Sequence, residues 1–484
     1  MTEAVVSESS SAPIYERLAE ELGALIGSGA LRPGERLPSV RRLVQQKRVS
    51  ATTAIAALRS LESRGLVEAR PQSGYFVRPA AHRAQEPAMT RPPAAAKSVG
   101  IDNLMVRLLD AALDPQIAPL GTAVPDPSWF PVARLQRAIS TAARRHPELL
   151  GTCSPYYAGV ESLRHQVARR YAELGCAIDQ DEVVITNGCT EAINLALSMV
   201  AGSGDTIAME SPSYYGFFQI IEKRGLKALE LPTHPREGLS VDALEHALTW
   251  RGSHAIKACL LSPSFSNPMG ACMPEAEKKR LVKLCERHGV ALIEDDIHGD
   301  LQHAGPRPLP AKAFDRGGQV MLCSSLTKNL APGARIGWVC GGRRAEELAL
   351  RKFAGSGATP AVLQVALAEL LRSGGYERHL LKLRRGYAGQ VARTATAVAE
   401  CFPAGTRITQ PGGGFVIWVE LPMGLDSLAL FDRALAEGVT FAPGPLFSAS
   451  GRYRNFLRLN CGRKWSPAIE RALRRLGELA TQMA

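Results

Sequence analysis

The sequence predicts an α/β body built on a mostly parallel sheet, preceded by a small helical head that ends in a hairpin. Three observations carry this. Before residue 79, three short helix-like segments with clear caps lead into two short strand-like runs. Further on, apolar runs of strand length recur and end in polar or glycine-bearing turns, the habit of parallel strands buried on both faces. The residues at those ends are the kinds that hold a phosphorylated aldehyde cofactor, with Lys328 the most informative of them.

In chain order, Ile14-Tyr15-Glu16-Arg17-Leu18 opens an amphipathic helix reaching about Ser28, and Leu31-Arg32-Pro33-Gly34-Glu35-Arg36-Leu37-Pro38-Ser39 is a turn ending in a helix cap. A short helix spans about 40–46, and Ser50 caps a third helix that ends near Arg64. Gly65-Leu66-Val67-Glu68-Ala69 and Gly74-Tyr75-Phe76-Val77 form a hairpin, so the head is a winged helix-turn-helix. Between residues 31 and 78 there are ten basic residues against three acids, a net of +7 and a phosphate-binding footprint. Residues 79–100 are rich in Pro and Ala and are expected to be an extended, semi-flexible linker.

In the body, Val183-Val184-Ile185-Thr186 is a strand that enters Asn187-Gly188-Cys189-Thr190-Glu191 and an apolar helix from Ala192 to Val200. A strand, a glycine turn and a helix N-terminus make a phosphate site, because free amides and the positive end of the dipole face the anion. Pro212-Ser213-Tyr214 follows the next strand and places Tyr214 to stack on a pyridine ring. Leu260-Leu261 is another strand, and the turn after it offers the Asn267 amide to a phenolic oxygen. Leu292-Ile293-Glu294-Asp295-Asp296 delivers Asp295 to pair with a protonated pyridine nitrogen. In Ser324-Ser325-Leu326-Thr327-Lys328, the amine is placed to form an imine, while Ser325 and Arg335 reach a phosphate. Together these residues call for pyridoxal phosphate.

From about Asp102 to the C-terminus the chain resembles a fold-type I aminotransferase of the aspartate aminotransferase superfamily. The resemblance implies a large domain at about 130–345 with a mostly parallel sheet, and an α+β small domain at about 350–484. It implies that Arg458, in Phe456-Leu457-Arg458-Leu459-Asn460, grips a substrate α-carboxylate, a bidentate task suited to a planar fork. His298 stands where many members carry a tyrosine that hydrogen-bonds the phenolic oxygen; a histidine donates that bond but titrates near neutrality. Either Tyr156 or Tyr157 matches the tyrosine that reaches the partner subunit's cofactor phosphate. Residues 12–78 resemble the GntR family of bacterial regulators, most specifically in Gly34-Glu35-Arg36-Leu37-Pro38-Ser39. That resemblance places Ser39, Arg41, Ser50 and Thr52 at phosphates or base edges and the wing tip, Ser73 and Gly74, in the minor groove. Ala51 and Ile55 replace arginines common in relatives. Ala51, Thr52 and Thr53 are suited to thymine methyl groups, with Ile55 alternatively a core residue.

A GntR-like head on an aminotransferase-like body (residues 101–484) is the arrangement of MocR-type regulators. It implies a cytoplasmic homodimer, with heads swapped across the dimer, that binds duplex DNA and senses an amino compound by imine exchange at Lys328. Two other readings stay open: an active aminotransferase with an accessory head, which turnover with a keto acid would identify, and a sensor of pyridoxal phosphate itself, which DNA binding responsive to cofactor alone would identify. The net charge of +12 favours a polyanionic partner. Ten cysteines, all after residue 150, show neither metal spacing nor a disulfide ladder, and Cys189 and Cys461 are expected to be packing residues. No metal site and no bilayer-spanning stretch is expected.

Overall fold

The structure is a computed structural model of the 484-residue chain. It describes residues 13–28, 30–32, 34–64, 66–70, 73–77, 85–98, 103–151, 156–249 and 256–484. Pro33, Gly65, Arg78, Cys153 and the linker positions 79–84, 99 and 100 lie outside the described residues. The chain divides into two compact units, residues 1–83 with 392–400 and residues 84–391 with 401–484.

The head has α1 (Ile14–Gly27), α2 (Val40–Lys47) and α3 (Ala51–Ser63), then β1 (Val67–Arg70) paired antiparallel with β2 (Gly74–Val77). Both expected caps form: Ser39 Oγ accepts from the Arg42 amide at 3.3 Å and Ser50 Oγ from the Thr53 amide at 3.1 Å. Each satisfies an orphan donor of a first turn. Leu18, Leu22, Leu43, Leu58, Leu61 and Val67 are buried together, one stripe from each element. The segment before α2 runs along the hairpin, with Val77 N donating to Glu35 O and Leu37 N to Tyr75 O, both at 2.8 Å. At Gly74, φ is +101°, a backbone conformation that favours glycine, and the Arg36 guanidinium lies close by. Ile55 is not a core residue: it is 38% exposed, on the same open face of α3 as Ala51, Thr52 and Arg59.

The body's main sheet contains β3 (Lys97–Ser98), β5 (Val183–Thr186), β6 (Thr206–Ser211), β7 (Lys227–His234), β9 (Ile256–Leu261), β10 (Ala291–Asp295), β11 (Val320–Ser325) and β12 (Gly337–Cys340). Strand β4 (Ala118–Pro119) lies outside it and β8 (Gly238–Leu239) pairs only with β7. The order is β3-β7-β6-β9-β10-β11-β12-β5, with β12 antiparallel to both neighbours and β3 antiparallel to β7. Central strands are buried and largely apolar because both faces are covered, with Lys257 of β9 the exposed exception and Glu210 and Glu294 buried near the ends of β6 and β10. The helices from α4 to α13 are α4 (Asn103–Ala111), α5 (Val132–Arg145), α6 (Glu148–Gly151), α7 (Glu161–Glu173), α8 (Cys189–Val200), α9 (Tyr215–Lys223), α10 (Val241–Thr249), α11 (Glu275–His288), α12 (Ala345–Ser356) and α13 (Ala361–Arg372). Helices α8, α9 and α12 share a core with Met209, Leu260 and Ile293, while α10 and α11 pack on their strand neighbours Ala208, Cys259 and Leu292.

The small domain carries a four-stranded antiparallel sheet, β13 (Arg407–Ile408), β14 (Val416–Glu420), β17 (Phe456–Asn460) and β16 (Ala442–Pro443), in that order. Strand β15 (Val439–Thr440) pairs in parallel with β4. Gly412-Gly413-Gly414 leads into β14, as a turn before a strand. In place of the expected semi-flexible linker, residues 85–98 are tied to this unit. Thr90 Oγ1 donates to Ser211 O at 2.6 Å, Arg452 Nη2 donates to Arg91 O at 3.0 Å, and Lys97 and Ser98 extend the sheet edge. Composition marks the segment as extended; its anchoring comes from backbone groups that composition does not register.

Candidate functional site

Parallel strands bring their C-terminal ends to one edge, so Thr186, Ser211, Leu261, Asp295 and Ser325 deliver the following loops to a common place. A cavity of about 260 Å³ opens there, lined by Cys189, Thr190, Tyr214, Asn267, Asp295, His298, Ser325, Lys328 and Arg335 among others. The sequence-predicted cofactor residues therefore meet in one place, with Gly188 at its edge.

Lys328 Nζ donates to the Ala123 carbonyl at 2.8 Å. Burial, then the nearby Arg458 and Arg335 charges, pushes the Lys328 ammonium down to about 8, with Asp295 opposing. Asp295 is buried at the end of β10; its Oδ1 accepts from Cys189 Sγ at 3.3 Å and from the Ile297 amide at 3.1 Å. Burial raises its carboxyl to about 6, the position of an acid short of a cationic partner. The Cys189 thiol is pushed well up, first by burial and then by Asp295, so it is a packing group and a donor, not a thiolate.

Gly188 caps α8 at φ +94°, with Thr186 Oγ1 donating to its carbonyl at 3.0 Å. A Cβ there would lie 2.5 Å from Arg335 Nη2, which itself donates to Asn187 O at 3.2 Å. The glycine thus lets the arginine lie against the first turn, where free amides of α8, Ser325 and Arg335 converge on the cavity. Tyr214 stands at the N-terminus of α9, its ring 4.7 Å from that of Tyr215 and edge-on to Phe217 at 5.4 Å.

Arg458 sits in the middle of β17 and is fully buried. Its Nη1 donates to Asn267 Oδ1 at 3.3 Å, its Nη2 to Gly121 O, and its Nε has no partner. No carboxylate pairs with it among the described residues, and burial lowers its pKa. Because Asn267 uses its oxygen for Arg458, its Nδ2 donor remains for the cavity.

His298 departs from expectation. Its Nδ1 lies 3.0 Å from the Phe265 carbonyl, an acceptor only, so Nδ1 carries the hydrogen and Nε2 of the neutral ring is an acceptor. Burial, then the Lys328 charge, lowers its pKa to about 4, so the imidazole neither titrates near neutrality nor donates from Nε2. Phe265 is itself at φ +57°, a left-handed conformation that presents its carbonyl to the ring. His298 Nε2 and Thr327 Oγ1 are both buried without partners at the cavity wall. Orphaned polar atoms, an uncompensated acid and a helix N-terminus together fit a polar, phosphorylated ring. Tyr156 and Tyr157 are 43% and 44% exposed and do not line this cavity.

Sequence reasoning missed the carbonyls of Gly121, Ala123 and Phe265, since any residue supplies a carbonyl. It also missed Met105 and Leu109 of α4 at the cavity mouth. Behind the site, Arg307 pairs with Asp296 and, at 2.7 Å, with Asp300, which also receives Arg170 at 3.2 Å. Tyr171 Oη donates to Asp296 Oδ2 at 3.0 Å. Among the described residues, no helix is long and apolar enough to cross a membrane.

On the head, Ser39 and Ser50 serve as helix caps, and Arg41, Thr52, Ser73 and Gly74 lie at its surface. Arg70 lies over the Phe76 ring at 4.4 Å and pairs with Glu68 at 2.8 Å, stiffening the wing.

Residues 133–476 match the family described as aminotransferase class I and II, and residues 14–77 match the bacterial regulatory proteins of the gntR family. An uncharacterized HTH-type transcriptional regulator of Escherichia coli K12, YjiR, is 38% identical over 467 residues, covering 96% of this chain and 98% of its own. The 2-aminoadipate transaminase of Thermus thermophilus is 32% identical over 376 residues, 76% of this chain and 91% of that protein. The crystal structure of LysN, the α-aminoadipate aminotransferase of Thermus thermophilus complexed with N-(5'-phosphopyridoxyl)-L-leucine, superposes with a TM-score of 0.72 at 30% identity. It covers 79% of this chain and 95% of that one.

Proposed function

The chain belongs to the class I and II aminotransferase family and carries a GntR-type DNA-binding head, as MocR-type regulators do; from that membership we propose that it is a pyridoxal-phosphate-dependent regulator that senses an amino acid. The observation that carries the sensing is the pairing of Lys328 with Arg458. Burial, and then the charge of Arg458, a buried guanidinium with no carboxylate partner among the described residues, hold Lys328 toward its neutral form; the two are the complement of an amine and a carboxylate on one small molecule.

Pyridoxal phosphate, when bound, supplies an aldehyde carbon that exchanges one amine for another and a ring that withdraws electrons. Lys328 presents the resident nitrogen. Asp295 would hold a proton at the ring nitrogen, and that cation would bring its raised pKa back down. The α8 amides, Ser325 and Arg335 would hold the phosphate, Tyr214 would stack on the ring and Asn267 Nδ2 would donate to the phenolic oxygen. Arg458 takes the effector's carboxylate. Capture of the effector's carboxylate by Arg458 on β17 would draw the small domain toward the large one, the change that would alter DNA binding by the head. The regulator works as a homodimer in the cytoplasm, and its duplex DNA is read through Ser39, Arg41, Ser50, Thr52 and the wing tip at Ser73 and Gly74.

The neutral, acceptor state of His298 favours sensing over turnover, because it leaves the phenolic oxygen with one donor fewer than a tyrosine would supply. The test is a panel of amino acids added to purified holoprotein, with the visible absorption band and affinity for the DNA upstream of its own gene followed together. One amino acid should shift both, and Lys328→Ala should lose the band and the response while still binding DNA. Rapid multiple turnover with a keto acid, with DNA binding indifferent to the same amino acid, would overturn the proposal in favour of an enzyme.

A further inference from the structure

Helix α4 carries two apolar faces, and the fold uses one of them. Leu104, Leu108 and Ala111 are buried, the i, i+4, i+7 stripe that seats a helix. Leu108 packs over Gly121, where a Cβ would collide with it, beside the backbone of Phe441. Arg107 lies over the Phe431 ring at 5.3 Å and pairs with Asp432 at 2.6 Å, both on the small-domain helix Ser427–Ala436. The helix therefore rests on the small domain, and its one cation is turned to that side. The second face, Met105 and Leu109 one turn apart, lines the cofactor cavity, and Leu109 is 44% exposed. Val124, Ile193, Phe217 and Ile220 add further apolar wall. The charged residues on that wall are Asp295, Lys328 and Arg335, and His298 is held neutral by burial. With Asp295 and Arg335 committed to the cofactor, Lys328 to the amine and Arg458 to the carboxylate, no charge on the described wall is left over for an effector side chain.

We propose that the effector is an amino acid with an apolar side chain, received by Met105 and Leu109 of α4. The inference rests on the sensing reading above and adds a chemical class to it. Gly121 fixes the placement: Leu108 packs on it, and its carbonyl accepts from Arg458 Nη2, so α4 stands beside the group that takes the carboxylate. A charged side chain would lose hydration against a thioether and an isobutyl group with no counter-charge to replace it. An apolar one covers Leu109, and each methylene it buries is worth about fourfold in affinity. Because α4 rests on the small domain, the side chain it receives acts on the same half of the fold as the Arg458 strand.

The test titrates full-length holoprotein with L-alanine, L-2-aminobutyrate, L-norvaline and L-norleucine, and with L-2-aminoadipate and L-lysine as charged counterparts of the longest, following the visible band. Affinity should rise about fourfold with each added methylene of the apolar series. Norleucine should bind about tenfold or more tighter than either charged amino acid. Leu109→Ala should flatten the series, and Leu109→Arg should reverse the order, placing 2-aminoadipate above norleucine. A visible band of unchanged intensity before titration shows that each variant is folded and holds its cofactor, and the series on the unmodified protein decides without any variant. Arg107→Ala should leave the order as it is, because that guanidinium faces Asp432. Charged side chains bound as tightly as norleucine, affinities independent of chain length, or an order that Leu109→Arg leaves intact would overturn the assignment while leaving amino-acid sensing in place. A band that none of these amino acids nor any other moves would defeat the sensing reading, and this one with it.

Discussion

Lys328 captures a carbonyl only as the neutral amine, so the pH dependence of cofactor uptake reads its environment directly. An ordinary lysine at 10.5 is neutral in about one molecule in 3,000 at pH 7, whereas one at about 8 is neutral in about one in ten, a gain of about 300-fold. Burial is the largest cause, with the Arg458 and then the Arg335 charge adding to it. Mixing apoprotein with pyridoxal phosphate in a stopped-flow cell and following the visible band should give an initial rate that rises about tenfold per pH unit. It should level off near 8. The sign follows from the base: raising pH through a lowered pKa increases the reactive form. Arg458→Met removes one of the two cations that favour proton loss, so the break should move to higher pH. A break near that of free lysine in the unmodified protein, or an unmoved break in Arg458→Met, would refute this account of how the site activates its amine.

Replacing Arg307 by Met leaves the buried Asp296 without its cation and Asp300 with Arg170 alone as ion-pair partner, and should cost about 3–5 kcal/mol at neutral pH in urea unfolding of the apoprotein. Without the guanidinium the Asp296 carboxyl, already raised by burial, rises further, while Asp300 keeps the Arg170 charge that lowers it. The deficit should therefore be greatest at neutral pH and shrink toward acid, and a loss below about 1 kcal/mol at neutrality would count against the network's role. His298→Tyr exchanges an acceptor for a donor at the phenolic oxygen. The pH midpoint of the holoprotein's visible band should fall, because a donor stabilises the deprotonated oxygen, and an unmoved midpoint would show that residue 298 does not reach it.

How much of this is legible in the sequence depends on which atoms do the work. Val183–Thr186 appears as a strand over the expected residues, and Asp295 and Ser325 end β10 and β11, because a strand covered on both faces must be apolar throughout and its polar end then stands out. The head is legible for a related reason: Ser39 and Ser50 act as caps through their own side chains, and cap chemistry depends on residue type. Where backbone atoms decide, residue type carries no signal. The carbonyl of Phe265 selects the His298 tautomer and turns an expected donor into an acceptor. Thr90 meets the sheet through main-chain partners at Ser211 and Thr233, so a segment with the composition of a tether is instead anchored beside the strand that leads to Tyr214. That anchoring bears on signalling. Gln85 accepts from the Ile408 amide at 2.9 Å in the small domain, while Thr90 holds the large one, so the segment leading from the head spans both halves of the cofactor fold within six residues. Relative movement of the two halves must therefore strain these bonds or carry the segment with it, and no freely flexible tether intervenes over residues 85–98 to absorb the motion.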